Sequence, residues 1–153
     1  MATLKTFWPA PEKKINDLFG THSPERKAMG LGPHRGLDFT VPVGTSLKAI
    51  GNGTVSDVYH SEILGWVIEQ TAYVVVDGKP KVMHFAYCHL DKKPALKKGD
   101  KVKGGEEICK SGNSGASSGP HLHFMAGSAG HLASSAVVDP LPLIKSALNG
   151  FEV

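Results

Sequence analysis

From Leu37 onward the chain alternates apolar and polar residues in short runs parted by turn-forming residues. Segments 46–50, 54–59, 66–70, 73–76, 82–90, 106–110 and 121–125 have the two-residue period and the β-branched or aromatic content of strands. Gly51-Asn52-Gly53, Asp77-Gly78, Lys98-Gly99-Asp100 and Gly104-Gly105 supply turns between them. Strands this short and this close together predict a mainly β, antiparallel sheet or sandwich rather than βαβ units. Segment 10–20 predicts a short helix or turn, and the polar, Gly/Pro-punctuated segment 21–33 a loop. Asp139-Pro140 reads as N-cap and first residue of a helix running to about Leu148, with Gly150 placed to end it.

With 153 residues and 41% hydrophobic content the sequence predicts one domain, 1–153, able to stand without staples. No apolar run approaches the ~18–20 residues of a membrane span, so no membrane insertion is expected. The first residues carry no apolar leader, which predicts synthesis in the cytoplasm. Much of the positive charge lies in one run: Lys92, Lys93, Lys97, Lys98, Lys101 and Lys103. It reads as a solvated face with a weak pull on anionic polymers. No aromatics interleave it, which argues against nucleic acid as a partner. Cys88 and Cys109 form no CxxC pair and read as small core residues.

The chemistry concentrates in histidines. In Gly119-Pro120-His121-Leu122-His123-Phe124 the two imidazoles alternate with apolar residues, so on a strand both project from one face. The Gly/Ser-rich run ahead of them reads as a loop, and none of its serines has a nucleophile-elbow context. In Pro33-His34-Arg35-Gly36-Leu37-Asp38-Phe39, His34 and Asp38 would lie about 13 Å apart on a straight strand. A bend at Gly36, where φ is unrestricted, would bring them together. His89 ends the 82–90 strand, sharing a face with Tyr87, while neighbouring Cys88 points away. Catalytic zinc takes three N/O ligands and keeps one position open. His34, Asp38 and one of His121 and His123 would supply that set, leaving two histidines for proton transfer.

His34-Arg-Gly-Leu-Asp-Phe39, Tyr87-Cys-His-Leu90, Ser111-Gly-Asn-Ser-Gly115 and Gly119-Pro-His-Leu-His-Phe124 resemble, in this order, the motifs of lysostaphin/LytM-type zinc metalloendopeptidases. The likeness covers roughly residues 19–140, followed by the terminal helix at about 140–149. It implies one Zn2+ held by His34, Asp38 and His123, with His89 and His121 as catalytic histidines whose roles could be exchanged. It further implies a β domain with a loop-walled groove, and hydrolysis of peptides in bacterial peptidoglycan, with cell-wall lysis. Met125 stands where an acidic residue often follows this motif, Cys109 where glycine is common, and 21–32 has no counterpart. With this resemblance, the missing leader and compact single domain suggest a monomeric bacteriophage endolysin released by a partner holin, or else a bacterial enzyme whose leader has been removed. The alternative is a non-catalytic or virion-associated wall-binding or activator module of the same fold.

Overall fold

The computed structural model describes residues 3–4, 7–11 and 15–149. In chain order the elements are β1 (Thr3–Leu4), α1 (Pro24–Ala28), β2 (Leu37–Phe39), β3 (Ser46–Lys48), β4 (Gly53–Ser61) and β5 (Gly65–Val76). They continue with β6 (Lys79–Leu90), β7 (Lys101–Val102), β8 (Glu107–Lys110), β9 (Leu122–Gly127), α2 (Pro140–Ile144) and β10 (Leu148–Asn149). Six strands form one antiparallel sheet in the order β2-β9-β6-β5-β4-β7, and β3-β8 and β1-β10 make two-stranded pairs. The mainly β, antiparallel expectation holds, including a short helix near the C-terminus. Among the described residues no helix is long and apolar enough to cross a membrane.

Alternation along the strands gives the central sheet two apolar faces. Leu37 and Phe39 of β2, Phe85 and Tyr87 of β6, and Leu122 and Phe124 of β9 enter the main core, beneath β3, β8 and α2. Residues of opposite parity, Val67, Ala86, Cys88 and Met125, form a second cluster on the other face, closed by Leu132. Asp38 and His123 also have this second parity and lie opposite each other in the β2–β9 register.

Several local expectations change. Segments 66–70 and 73–76 belong to one twelve-residue strand, because Thr71 and Ala72 keep their pairing with His84 and Met83. Leu37–Phe39 is a strand, held at the sheet edge by β9. Where described, 10–20 holds a turn at 19–20 and no helix, and Asp17 bridges to Asp38. Segment 21–33 contains α1, capped by the Ser23 hydroxyl accepting from Arg26 N–H and started by Pro24. The last helix has its predicted Asp139 cap, accepting from Leu141 N–H, but stops at Ile144. Ala147 then bridges to Val74, and Leu148 pairs with Leu4. Gly150 lies outside the described residues.

Candidate active site

Three strands deliver the site. β2 and β9 place Asp38 and His123 side by side, and Cys88 of β6 pairs with His123 from the other edge. The chain bends at Gly36 as the spacing requires, but without left-handed backbone. Its glycine is needed for close approach, since a Cβ there would sit 2.4 Å from the Phe124 carbonyl oxygen and 3.0 Å from His123 Cε1. Arg35 reaches outward and donates to the Ser135 carbonyl at 2.7 Å, fastening the loop that closes the second apolar cluster.

His89 arrives by a different device. In an unbroken strand it would follow Tyr87 into the main core. The β5–β6 register instead slips between Trp66↔Leu90 and Ile68↔Tyr87, putting one extra residue in β6. His89 takes φ +64° at this bulge. Bulges re-aim a side chain in this way, at a cost of roughly 1–3 kcal/mol for a non-glycine left-handed residue. The His89 ring thereby lies 4.7 Å from that of His121 and 6.0 Å from that of His123. Tyr87 stays in the core, its single hydroxyl proton shared between two acceptors, the Lys48 carbonyl at 2.8 Å and Gln70 Oε1 at 2.6 Å. Cys88, on the second face, contacts Met125 sulfur at 3.9 Å.

His34 Nε2, His123 Nδ1 and Asp38 Oδ1 form a small triangle. Its edges are 3.1 Å between the two nitrogens, 3.2 Å from His34 to Asp38 and 2.9 Å from His123 to Asp38. Ligands about 2.0–2.2 Å from a tetrahedral zinc lie roughly 3.3 Å apart, so this two-imidazole, one-carboxylate set fits such an ion. The set holds the donors His34, Asp38 and His123, with His121 Nε2 beside it, 3.8 Å from Asp38 Oδ1.

Rear contacts fix the tautomers of His34, His121 and His89. His34 Nδ1–H donates to the Leu18 carbonyl at 3.1 Å, with Asp17 Oδ2 at 3.4 Å, which frees Nε2 as a donor to metal. His121 Nδ1–H donates to the Gly119 carbonyl at 2.8 Å, with Ser117 Oγ at 3.1 Å. His89 Nδ1–H donates to the Ser114 carbonyl at 2.7 Å. Both His89 and His121 therefore turn a lone pair on Nε2 inward. Ser114 also braces the backbone around His89, its hydroxyl donating to the Leu90 carbonyl and accepting from Trp66 N–H. Asp17, Leu18, Ser114 and Ser117 were not foreseen as site residues. Leu18 and Ser114 act through backbone carbonyls and Asp17 and Ser117 through contacts behind a ring, for which residue type gives little signal.

Electrostatics follow from this crowding. Burial raises the Asp38 pKa, but hydrogen bonds from His123 and His34 overcome it and hold the carboxyl well below the usual range. Burial lowers His34, yet Asp38 outweighs it and the ring ends above the ordinary imidazole value. In His123 burial wins over Asp38 and the value falls. His89 is pushed down to about 4 by burial, against the Ser114 bond and with help from the neighbouring rings of His121 and His123.

Comparison with known proteins finds relatives over most of the chain. The model of Peptidase family M23 covers residues 32–135. Lysostaphin of Staphylococcus staphylolyticus is 36% identical over 131 residues, 80% of this chain and 26% of that protein. Peptidoglycan DD-endopeptidase ShyB of Vibrio cholerae is 34% identical over 116 residues, 74% of this chain and 25% of that one. The chain thus spans about a quarter of the length of the curated relatives it matches. Among solved structures, the catalytic domain of the antimicrobial peptidase lysostaphin from Staphylococcus simulans has a TM-score of 0.68 at 32% identity, covering 87% of this chain and 92% of that one. A zinc-containing peptidase from Vibrio cholerae also has a TM-score of 0.68, at 29% identity, covering 89% and 39%. With more than half its length matched by the family model and its sheet shared with these peptidases, the chain belongs to peptidase family M23.

Proposed function

We propose that this chain is a zinc-dependent endopeptidase that hydrolyses peptide cross-links or stem-peptide bonds of bacterial peptidoglycan. The observation that carries it is the triangle of His34, Asp38 and His123 donor atoms flanked by two further imidazoles with inward lone pairs. His34, Asp38 and His123 would hold the ion, and Leu18 and Asp17 orient His34 from behind. When bound, zinc supplies Lewis-acid polarisation of the scissile carbonyl and acidifies the attacking water. His121, its Nδ1 proton pinned to Gly119, accepts the water proton at Nε2. That proton is the one the departing amine needs, delivered directly or by way of His89, whose ring is 4.7 Å away. A protonated His89 also places positive charge beside the developing oxyanion. These two histidine roles can be exchanged without altering the proton balance. Support for the substrate class comes from relatives named as lysostaphin and as a peptidoglycan DD-endopeptidase.

The test is digestion of purified cell walls, with release of peptide fragments read by mass spectrometry before and after zinc removal. Cutting should stop with the chelator and return with zinc. His123→Ala should lose both zinc and activity, whereas His121→Ala should keep zinc and lose at least about a hundredfold in rate. Undiminished cutting by fully zinc-free protein would refute the mechanism.

A further inference from the structure

The lysine-rich run has no task in the chemistry above, and the fold gives it an unusual setting. Residues 91–110 hold seven lysines against Asp91, Asp100, Glu106 and Glu107, so this stretch alone accounts for the net charge of +3. All seven lysines are exposed, and no carboxylate among the described residues forms an ion pair with any of them. Three of them, Lys92, Lys93 and Lys110, rim a cleft of about 510 Å³ between β8 and the strap that leaves β6. Its apolar lining includes Leu90, Leu96, Ile108 and Val43, the last 52% exposed. The volume is that of a small-ligand or short-peptide site. Two acids also line it, Asp91, which accepts from Asn113 N–H at 2.7 Å, and Glu107; three lysines against two carboxylates leave the rim net positive by one charge.

The cleft neighbours the site along the chain and through hydrogen bonds. Leu90 follows His89, and Ser111 precedes Gly112, the bridge partner of His121. Asn113, held by Asp91, accepts from the Ser117 hydroxyl at 2.6 Å, and Ser117 lies against His121 Nδ1. A ligand seated here touches Asp91, from which hydrogen bonds run by way of Asn113 and Ser117 to His121 Nδ1. No aromatic residue lines the cleft, so bases have nothing to stack on. An elongated ligand with aliphatic side groups and free carboxylates matches both floor and rim.

We infer that the cleft between β8 and the 91–96 strap binds the carboxylate-bearing part of a peptidoglycan stem peptide, its anionic groups met by Lys92, Lys93 and Lys110. The assignment rests on the endopeptidase reading for its substrate class, but its test reads binding rather than cutting. The full chain is titrated calorimetrically with an uncross-linked stem tetrapeptide carrying free carboxylates, and with the same peptide fully amidated. The free-carboxylate form should bind about tenfold more tightly at low salt, the gap narrowing as salt rises. A Lys92→Gln, Lys93→Gln, Lys110→Gln variant with an unchanged unfolding midpoint should lose that preference. Equal binding of the two peptides, or a preference that survives the triple substitution, overturns the assignment. Displacement of the peptide by linear polyphosphate at matched charge overturns it too, in favour of a general polyanion face. Discrimination by a chain that cuts no cell wall would sink the endopeptidase reading and leave the cleft; cutting without discrimination would do the reverse.

Discussion

Glu69 is fully buried, and nothing in its position within an apolar strand marks it for a role. Its carboxyl group accepts from the Tyr59 hydroxyl at 2.5 Å, His131 N–H at 2.8 Å and Leu132 N–H at 2.7 Å. It faces Ala86, which in turn pairs with Met125. The acidic residue missing at 125 is thus matched by one two strands away on the same face, and the loop near 131 is anchored by it. Glu69→Ala leaves one buried donor, Leu132 N–H, and two part-buried ones without this partner and should cost about 2 kcal/mol or more in urea unfolding. Tyr59 provides a second readout. Burial and the Glu69 bond raise its pKa far above the ordinary phenol value. Only the unfolded chain then releases this proton near pH 10, so Tyr59's contribution is complete below that pH and declines as pH climbs above it. In Glu69→Ala the alkaline decline should be shallower; an unchanged pH profile would detach Tyr59 from Glu69.

At the level of elements, the strands with a clear two-residue period were readable, and so was the Asp139-Pro140 helix start. What escaped was decided by partners distant in sequence. β2 is three residues long and exists because β9 pairs with it, and β10 takes over from the expected helix because β1 and Val74 are there to receive it. That His34, Asp38, His89, His121 and His123 come together was legible from motif chemistry, whereas the route of His89 was not. Alternation alone sends it into the core beside Tyr87, and only the bulge reverses that. Gly36 shows the same limit from another side: the sequence marks a bend, but the reason for glycine is the 2.4 Å approach to Phe124. Gly36→Ala must therefore push β2 from β9 and open the donor triangle. Zinc affinity should fall at least about tenfold, measured by competition with a chromogenic chelator. Unaltered affinity would mean that the β2–β9 seam yields without moving Asp38 or His123.

Across the whole molecule, the donor triangle ties residues 34 and 38 to residue 123, and the tether runs through the central sheet. The unfolded chain holds these groups far apart and binds the ion weakly, so an ion that recognises the triangle adds its binding energy to folding. At free zinc about a hundredfold above Kd the gain is about 2.7 kcal/mol, which for a chain of this size raises the unfolding midpoint by roughly 5–10 °C. The rise should grow logarithmically with zinc and vanish on chelation. His123→Ala should abolish it, because two remaining donors from neighbouring positions, His34 and Asp38, no longer bridge β2 to β9. His121→Ala should preserve it, since that ring stands beside the triangle at 3.8 Å from Asp38 and contributes no corner. A calorimetric midpoint indifferent to zinc, or an His121→Ala variant that loses the rise while His123→Ala retains it, would move the metal away from the β2–β9 seam and with it the chemistry assigned to both rings.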